Sequence, residues 1–269
     1  MNRDLLGNIE RLEDWFFDKN SSITAFSGGI DSTLVLYLSR KFLGKKGIGC
    51  ISVSPSLKRT DYAFAIDFCK KEDIELEVIE TKEFQDPNYL ANPANRCYFC
   101  KSHLYEHLLE VRKKYPESVL INGANADDTG DYRPGQQAAD ELDIKSPLVD
   151  CGIDKASVRE LARYFNLPNW NKPASPCLSS RVPYGLEITP VKLKQIESAE
   201  AILTGYGFSD VRVRHFDGEA SIEVPSKEIL LLEGKLNDIV PAIKALGFTK
   251  VCIDREGLVS GKLNRALKV

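Results

Sequence analysis

Three groups of side chains in this sequence are suited by type and spacing to chemistry. The first is contiguous: Ser27-Gly28-Gly29-Ile30-Asp31-Ser32. Two glycines let a backbone approach an anion closely, and the hydroxyls of Ser27 and Ser32 add donors. Asp31 supplies the one carboxylate of the six, so the string suits a phosphate accompanied by a hard cation. It is neither a Walker loop, lacking Gly-Lys-Ser/Thr, nor a dinucleotide fingerprint, lacking Gly-x-Gly-x-x-Gly. The second group is Cys97-Tyr98-Phe99-Cys100 with the remote Cys177. Such a set can hold three corners of an iron–sulfur cube and leave the fourth iron open. With His103 and His107 the pair would instead make a zinc set, and a redox dithiol is the third option. The third group is Arg212 and Arg214. Alternate residues of a strand share a face, so the two could grip a phosphate or carboxylate bidentately. A solvated strand face balanced by Glu200 or Glu223 is the plainer alternative. Arg133 and Arg181, with Ser180 as a neutral donor, are further anion-binding candidates, and a structural salt bridge accounts for either arginine equally well.

Composition narrows the partners. The chain has 269 residues, enough for two domains, with 43% hydrophobic and 28% charged residues. With 36 basic against 39 acidic residues and a pI near 5.8, it carries no global attraction to nucleic acid, and no polynucleotide partner is expected. The start of the chain mixes charges with leucines, and no apolar run reaches the length of a membrane span, so a cytoplasmic protein without a membrane partner is expected. Seven cysteines, an odd number, argue against a disulfide framework. Cys50 and Cys252 lie in apolar alternation and read as small core residues.

The elements that must position these groups follow from periodicity. Strands are expected at 22–26, 48–53, 76–80 and 119–123, and helices at 4–17, 33–42, 61–71, 101–115 and 155–165. Leu34, Val35, Leu38 and Phe42 fall on one face of the second helix. The Pro-containing stretch 84–96 reads as an irregular loop that the cysteine pair closes, at the start of a helix whose N-terminus favours thiolates. This β/α alternation argues a parallel sheet with helices on both faces and ligands at the strand carboxyl ends. There lie the Ser27–Ser32 string, Ser52 and Ser54, and Asn122-Gly123. From about Leu186 the pattern becomes helix 190–205, strands 211–215 and 220–224 around an Asp217-Gly218 hairpin turn, helix 226–246 and strand 248–254. The expected division is 1–185, a nucleotide-binding α/β domain, and 186–269, a small α+β domain, with 182–185 as linker.

Taken together, several strings resemble a known family. They are Ser27–Ser32, Gly130-Asp131-Tyr132-Arg133-Pro134-Gly135, Asn169-Trp170-Asn171-Lys172, Ser179-Ser180-Arg181-Val182-Pro183-Tyr184-Gly185 and Val211-Arg212-Val213-Arg214. The first resembles the pyrophosphate (PP) loop of enzymes that cleave ATP between the α and β phosphates. The set as a whole, over residues 20–265, resembles the LarE family of ATP-dependent sulfur transferases, which build the thiocarboxylates of the nickel-pincer nucleotide. The resemblance implies that Ser27, Gly28, Gly29 and Ser32 hold pyrophosphate, Asp31 its magnesium, and Arg133 the ATP. It further implies a pyridinium dicarboxylate mononucleotide substrate bound by Ser180, Arg181, Arg212 and Arg214. Trp170 reads as packing, although an aromatic face would attract a pyridinium. Of the two family branches, the chain resembles the three-cysteine one. There Cys97, Cys100 and Cys177 are implied to hold a [4Fe-4S] cluster that delivers sulfur, with Cys177 as a catalytic residue. Sulfide or a persulfide carrier would be the donor, and a homo-oligomer is implied. The rival readings are a PP-loop tRNA thiolase and a non-catalytic nucleotide-binding protein with a structural zinc.

Overall fold

The computed structural model describes residues 3–130, 134–173, 175–259 and 261–266. In chain order its elements are α1 (Arg3–Phe17), β1 (Ser21–Ala25), α2 (Ile30–Leu43), β2 (Gly47–Val53), α3 (Arg59–Lys71), β3 (Leu76–Glu80), α4 (Pro87–Leu90), α5 (Arg96–Arg112) and β4 (Ser118–Ile121). Then come α6 (Pro134–Glu141), α7 (Pro147–Asp150), α8 (Lys155–Tyr164), α9 (Pro190–Gly205), β5 (Arg212–Phe216), β6 (Glu219–Glu223), α10 (Ile229–Glu233), α11 (Leu236–Lys244) and β7 (Lys250–Ile253). They group into two compact units. One takes residues up to Glu83 together with Asn95–Ser175, and the other Phe84–Ala94 with residues from Pro176 onward.

The first unit is a four-stranded parallel sheet in the order β3-β2-β1-β4. A parallel sheet needs cover on both faces, and the apolar residues divide accordingly. On one face Leu34, Leu36, Leu38, Phe68 and Leu161 pack together, and on the other Ile23, Cys50, Tyr105, Leu108 and Leu120. The expected single apolar face of α2 is too narrow. Leu36 is fully buried beside Leu34, Val35 and Leu38, while Phe42 is only partly covered, because the helix is packed against the sheet, α1 and α8. The short helices α6 and α7 escape periodicity analysis, each being too brief to show a repeat.

The second unit is a three-stranded sheet in the order β5-β6-β7, with β5–β6 antiparallel and β6–β7 parallel. Asp217 (φ 45°) and Gly218 (φ 101°) make the turn expected between β5 and β6. The helix expected over 226–246 is broken into α10 and α11 around Gly234-Lys235, where glycine lowers helix propensity. The stretch expected as an irregular loop, 84–96, contains α4 and belongs to this unit up to Ala94. Asn92 explains why: its Nδ2 donates to the carbonyls of Val182 (3.2 Å), Pro183 (2.7 Å) and Leu186 (3.0 Å). Gly185 N donates back to Asn92 O, and Ile188 N donates to Leu90 O. The boundary between the units therefore falls between Ser175 and Pro176, and residues 182–185 are an integral part of the second unit. No helix among the described residues is long and apolar enough to cross a membrane.

Candidate active site

β1 ends at Ala25, and the chain turns through Ser27-Gly28-Gly29 into α2, so the string stands at the carboxyl end of a central strand. Gly28 has φ +71°, and a Cβ there would lie 2.9 Å from the Asp61 carbonyl oxygen, so glycine is required twice over. Gly123, after β4, abuts the same turn: a Cβ would meet Ser32 N at 2.6 Å. Inside the loop Ser32 Oγ donates to Gly29 O (3.1 Å), accepts from Ser27 N (3.2 Å) and shares a hydrogen bond with Ser27 Oγ (3.0 Å). Thr33 Oγ1 also donates to Gly29 O (2.8 Å). The geometry brings together Ser27, Gly28, Gly29, Asp31 and Ser32 at a helix start, the arrangement that favours an anion.

Four partners of this loop come from far along the chain. Asp31 lies in the first turn of α2, and its carboxylate receives Lys155 Nζ at 2.7 and 2.5 Å and Asn125 Nδ2 at 3.2 Å. Gly28 O accepts from Asn169 Nδ2 (3.3 Å) and Lys172 Nζ (3.3 Å), and Lys172 Nζ also donates to Asp61 Oδ1 (2.6 Å). Asn169 is buried, and its Oδ1 has no partner among the described residues. Residue-level reading picked out Asn169 and Lys172 only within a family string, and missed Lys155, Asn125 and Asp61. One signal was available for Lys155: it is the first residue of α8, where the helix dipole favours acids over bases. Trp170 is half-exposed, with the Arg163 guanidinium 5.4 Å over its ring. Arg133, with Asp131 and Tyr132, lies outside the described residues.

In the second unit Arg181, Arg212 and Arg214 are buried, with the half-buried Ser180 against Arg181 and Arg214, which excludes the solvated strand face as an explanation of the arginines. Arg181 is 1% exposed; its Nε and Nη2 donate to Glu200 (2.8 and 3.5 Å), and Nη1 reaches Pro176 O, Cys177 O and Ser180 Oγ. Arg214 donates bidentately to Glu223 (3.0 and 2.8 Å) and through Nη1 to Ser180 O (2.7 Å). Glu200 and Glu223 do balance the arginines, but inside the unit. Arg212 stands opposite Glu223 across the sheet, and burial, then the charges of Arg181 and Arg214, push its pKa down. Lys262 Nζ also approaches Glu223 (3.5 Å) and pairs with Asp254 (2.8 Å), and the charge of Asp210 acts on Arg212. Much of the donor capacity of Arg181 and Arg214 is committed to the protein itself.

The cysteines separate by environment. Burial pushes the Cys50 and Cys69 thiols up to about 12 and Cys151 to about 11, and raises Cys252, which contacts Glu219 at 3.2 Å and is less buried than core membership required. Such thiols are poor metal ligands and nucleophiles. Cys97 and Cys177 are exposed and Cys100 half-buried, and none is in a disulfide. Cys97 and Cys100 lie inside α5, not ahead of it, because the helix begins at Arg96. They are one turn apart in the first unit, and Cys177 belongs to the second. Three accessible thiols fit the donor chemistry of an iron–sulfur cluster, although no three His, Cys, Asp or Glu side chains among the described residues are gathered as a metal site. Asp31, a hard oxygen donor beside the anion-favouring loop, fits magnesium in the same sense.

Comparison with known proteins identifies the family. The NAD synthase family profile matches residues 13–90, the span that carries the Ser27–Ser32 loop. An uncharacterized protein of Synechocystis sp. is 42% identical over 98% of this chain and 99% of its own. An uncharacterized protein of Methanocaldococcus jannaschii is 33% identical over 89% and 91%. The pyridinium-3,5-bisthiocarboxylic acid mononucleotide synthase of Lactiplantibacillus plantarum is 34% identical over 90% of this chain and 88% of its own. The chain belongs to the LarE family. As in other PP-loop proteins, the LarE loop here joins the first sheet strand to its helix, on a parallel four-stranded sheet flanked by helices.

Proposed function

We propose that this protein is an ATP-dependent sulfur transferase that adenylates a carboxylate of a pyridinium dicarboxylate mononucleotide and converts it to a thiocarboxylate in nickel-pincer nucleotide synthesis. The observation that carries this reading is the intact PP loop, with Asp31 in the first turn of α2, in a chain related to a pyridinium-3,5-bisthiocarboxylic acid mononucleotide synthase over nearly its full length. A carboxylate is a poor electrophile because oxide is a poor leaving group. Attack of the substrate carboxylate on the α-phosphorus of ATP forms an acyl-adenylate and expels pyrophosphate. Ser27, Gly28, Gly29 and Ser32 receive the pyrophosphate on backbone N–H groups and hydroxyls, and Arg133 contributes to ATP binding. Asp31 would hold magnesium, which neutralises phosphate charge when bound. Sulfur then replaces AMP at the activated carbonyl. Cys97, Cys100 and Cys177 would hold the [4Fe-4S] cluster, which supplies the sulfur-handling chemistry when bound. The arginine-rich cluster of the second unit supports a role for Ser180, Arg181, Arg212 and Arg214 in holding an anionic substrate.

The test is turnover of anaerobically purified protein with ATP, the mononucleotide and a sulfide source, together with iron, sulfide and zinc analysis. Pyrophosphate release should require the carboxylate substrate and vanish in a folded Asp31→Ala variant. Replacing any of Cys97, Cys100 or Cys177 by serine should remove visible absorption and sulfur transfer together, while more than one product forms per wild-type chain. Conversion of Cys177 to dehydroalanine in step with product, with no iron bound, would overturn the cluster route.

A further inference from the structure

The loop that carries Cys177 is mounted on a buried guanidinium. The Cys177 side chain is exposed, whereas Leu178 and Ser179, which begin the single turn after it, are buried. Cys177 O accepts from Ser180 N (3.0 Å), Ser180 Oγ (2.7 Å) and Arg181 Nη1 (3.3 Å), and Pro176 O accepts from the same Nη1 (2.6 Å). Glu200 on α9 takes the other edge of that guanidinium through Nε (2.8 Å) and Nη2 (3.5 Å). Its Oε1 also accepts from Val213 N (3.3 Å), between Arg212 and Arg214 on β5. One carboxylate and one guanidinium therefore connect β5 to two consecutive carbonyls beside the thiol. A planar fork can serve acceptors on opposite edges at once, which a single ammonium cannot. Each nitrogen of the fork has a protein acceptor, so the charge of Arg181 can act on an anionic substrate while its hydrogen bonds go to the loop.

We propose that Arg181, oriented by Glu200, is the positioning residue of Cys177: it fixes the backbone on which the thiol stands, at a set place relative to Arg212 and Arg214. This rests on the reading of Cys177 as a sulfur-handling residue. Sulfur transfer needs the sulfur within reach of the activated carbonyl before water attacks it. A loosened mount should therefore leave adenylation running while the adenylate is lost to hydrolysis. The positioning itself makes and breaks no covalent bond.

Two measurements test it on the full chain carrying Glu200→Gln or Arg181→Lys, each checked by thermal melting. In metal-free protein, hydrogen exchange of the Ser180 amide, which closes the turn onto Cys177 O, should be about tenfold faster or more in both variants, the range of a lost charged hydrogen bond. In anaerobic turnover with ATP, the mononucleotide and sulfide, thiocarboxylate formed per pyrophosphate released should fall about tenfold in both. Lysine should not rescue, because it lacks the fork. That ratio does not depend on the fraction folded or on how tightly substrate binds, so neither general destabilisation nor a lost substrate contact moves it. An unchanged exchange rate or an unchanged ratio in a folded variant overturns the proposal. An unchanged ratio with a raised mononucleotide KM would make Arg181 a substrate ligand only. If neither variant folds, the wild type decides: protection of the Ser180 amide supports the mount, and exchange at the rate of an unstructured amide overturns it. Wild-type protein that releases no pyrophosphate overturns the functional reading, and the exchange measurement then decides the mount alone.

Discussion

The molecule holds two clusters of ion pairs built on opposite terms. Around the PP loop, Lys155–Asp31 and Lys172–Asp61 are partly open to water, with side-chain exposures between 13% and 30%. In the second unit, Arg181–Glu200 and Arg214–Glu223 are sealed, with none of the four side chains above 8%. Water supports a lysine or a carboxylate that loses its partner in the first setting, so those pairs cost little to separate. In the second setting a lost partner leaves a charge in a poor dielectric, and the pair acts as framework. Arginine suits the sealed cluster because its planar fork satisfies a carboxylate and a carbonyl together, and lysine suits the open one because its compact ammonium is strongly hydrated.

Variants sharpen this contrast. The largest stability loss should come from Arg214→Ala, which leaves the fully buried Glu223 carboxylate with only the more distant Lys262 ammonium (3.5 Å) among the ion pairs of the described residues. A cost of about 3–5 kcal/mol is expected in denaturant unfolding. A value near zero would mean that the second cluster is as open as the first. Next is Gly28→Ala, which places a methyl against the Asp61 carbonyl at a positive φ. It should cost about 1–3 kcal/mol and abolish pyrophosphate binding, both measurable on one sample. Lys172→Met should cost only about 1 kcal/mol, since Asp61 then faces water, though the Gly28 carbonyl keeps Asn169 as a donor.

The legibility of the two clusters in the sequence differs for the same physical reason. The turn through Ser27–Ser32 is specified by contiguous residues whose backbone demands are local, so its place between strand and helix could be read directly. Lys155 lies 124 residues from Asp31, and Asn169 lies 141 from Gly28, and no periodicity carries information over that span. Alternation put Arg212 and Arg214 on one face and named Glu200 and Glu223 as their balance, yet it could not say whether that face was wet. Burial depends on what packs above a strand, here α9 and the segment around Ser180. Strand 76–80 and helix 190–205 match observed boundaries because a sharp turn or a Thr-Pro start marks their ends. Helix 226–246 failed because its leucines suit a continuous helix while Gly234 quietly ends one.

The smallest expected effect concerns His215, buried beside Gln195, whose Nδ1 has no hydrogen-bond partner among the described residues. Burial, then the charge of Lys192, lowers its pKa below the ordinary 6.5, while Asp217 opposes the shift. Below about pH 6.5 the unfolded chain therefore binds a proton that the folded chain resists, and stability falls as pH drops. Melting the wild type and His215→Gln at pH 7.5 and 5.5 should show the larger acid loss in the wild type. Equal losses would assign the acid sensitivity to another group.

Asn92 has a consequence for the order in which this chain can fold. Because one amide serves the carbonyls of Val182, Pro183 and Leu186, the second unit is assembled from two stretches separated by the 81 residues Asn95–Ser175. During synthesis α4 emerges long before its partners and must wait for them while α5 to α8 and the edge strand β4 of the first unit are made. For the same reason no single cut in the gene separates the units. A fragment beginning at Pro176 would leave those three carbonyls, and the Ser179 hydroxyl that meets Tyr89, in search of donors. A swap of second units between relatives must therefore carry residues 84–94 along with the C-terminal portion.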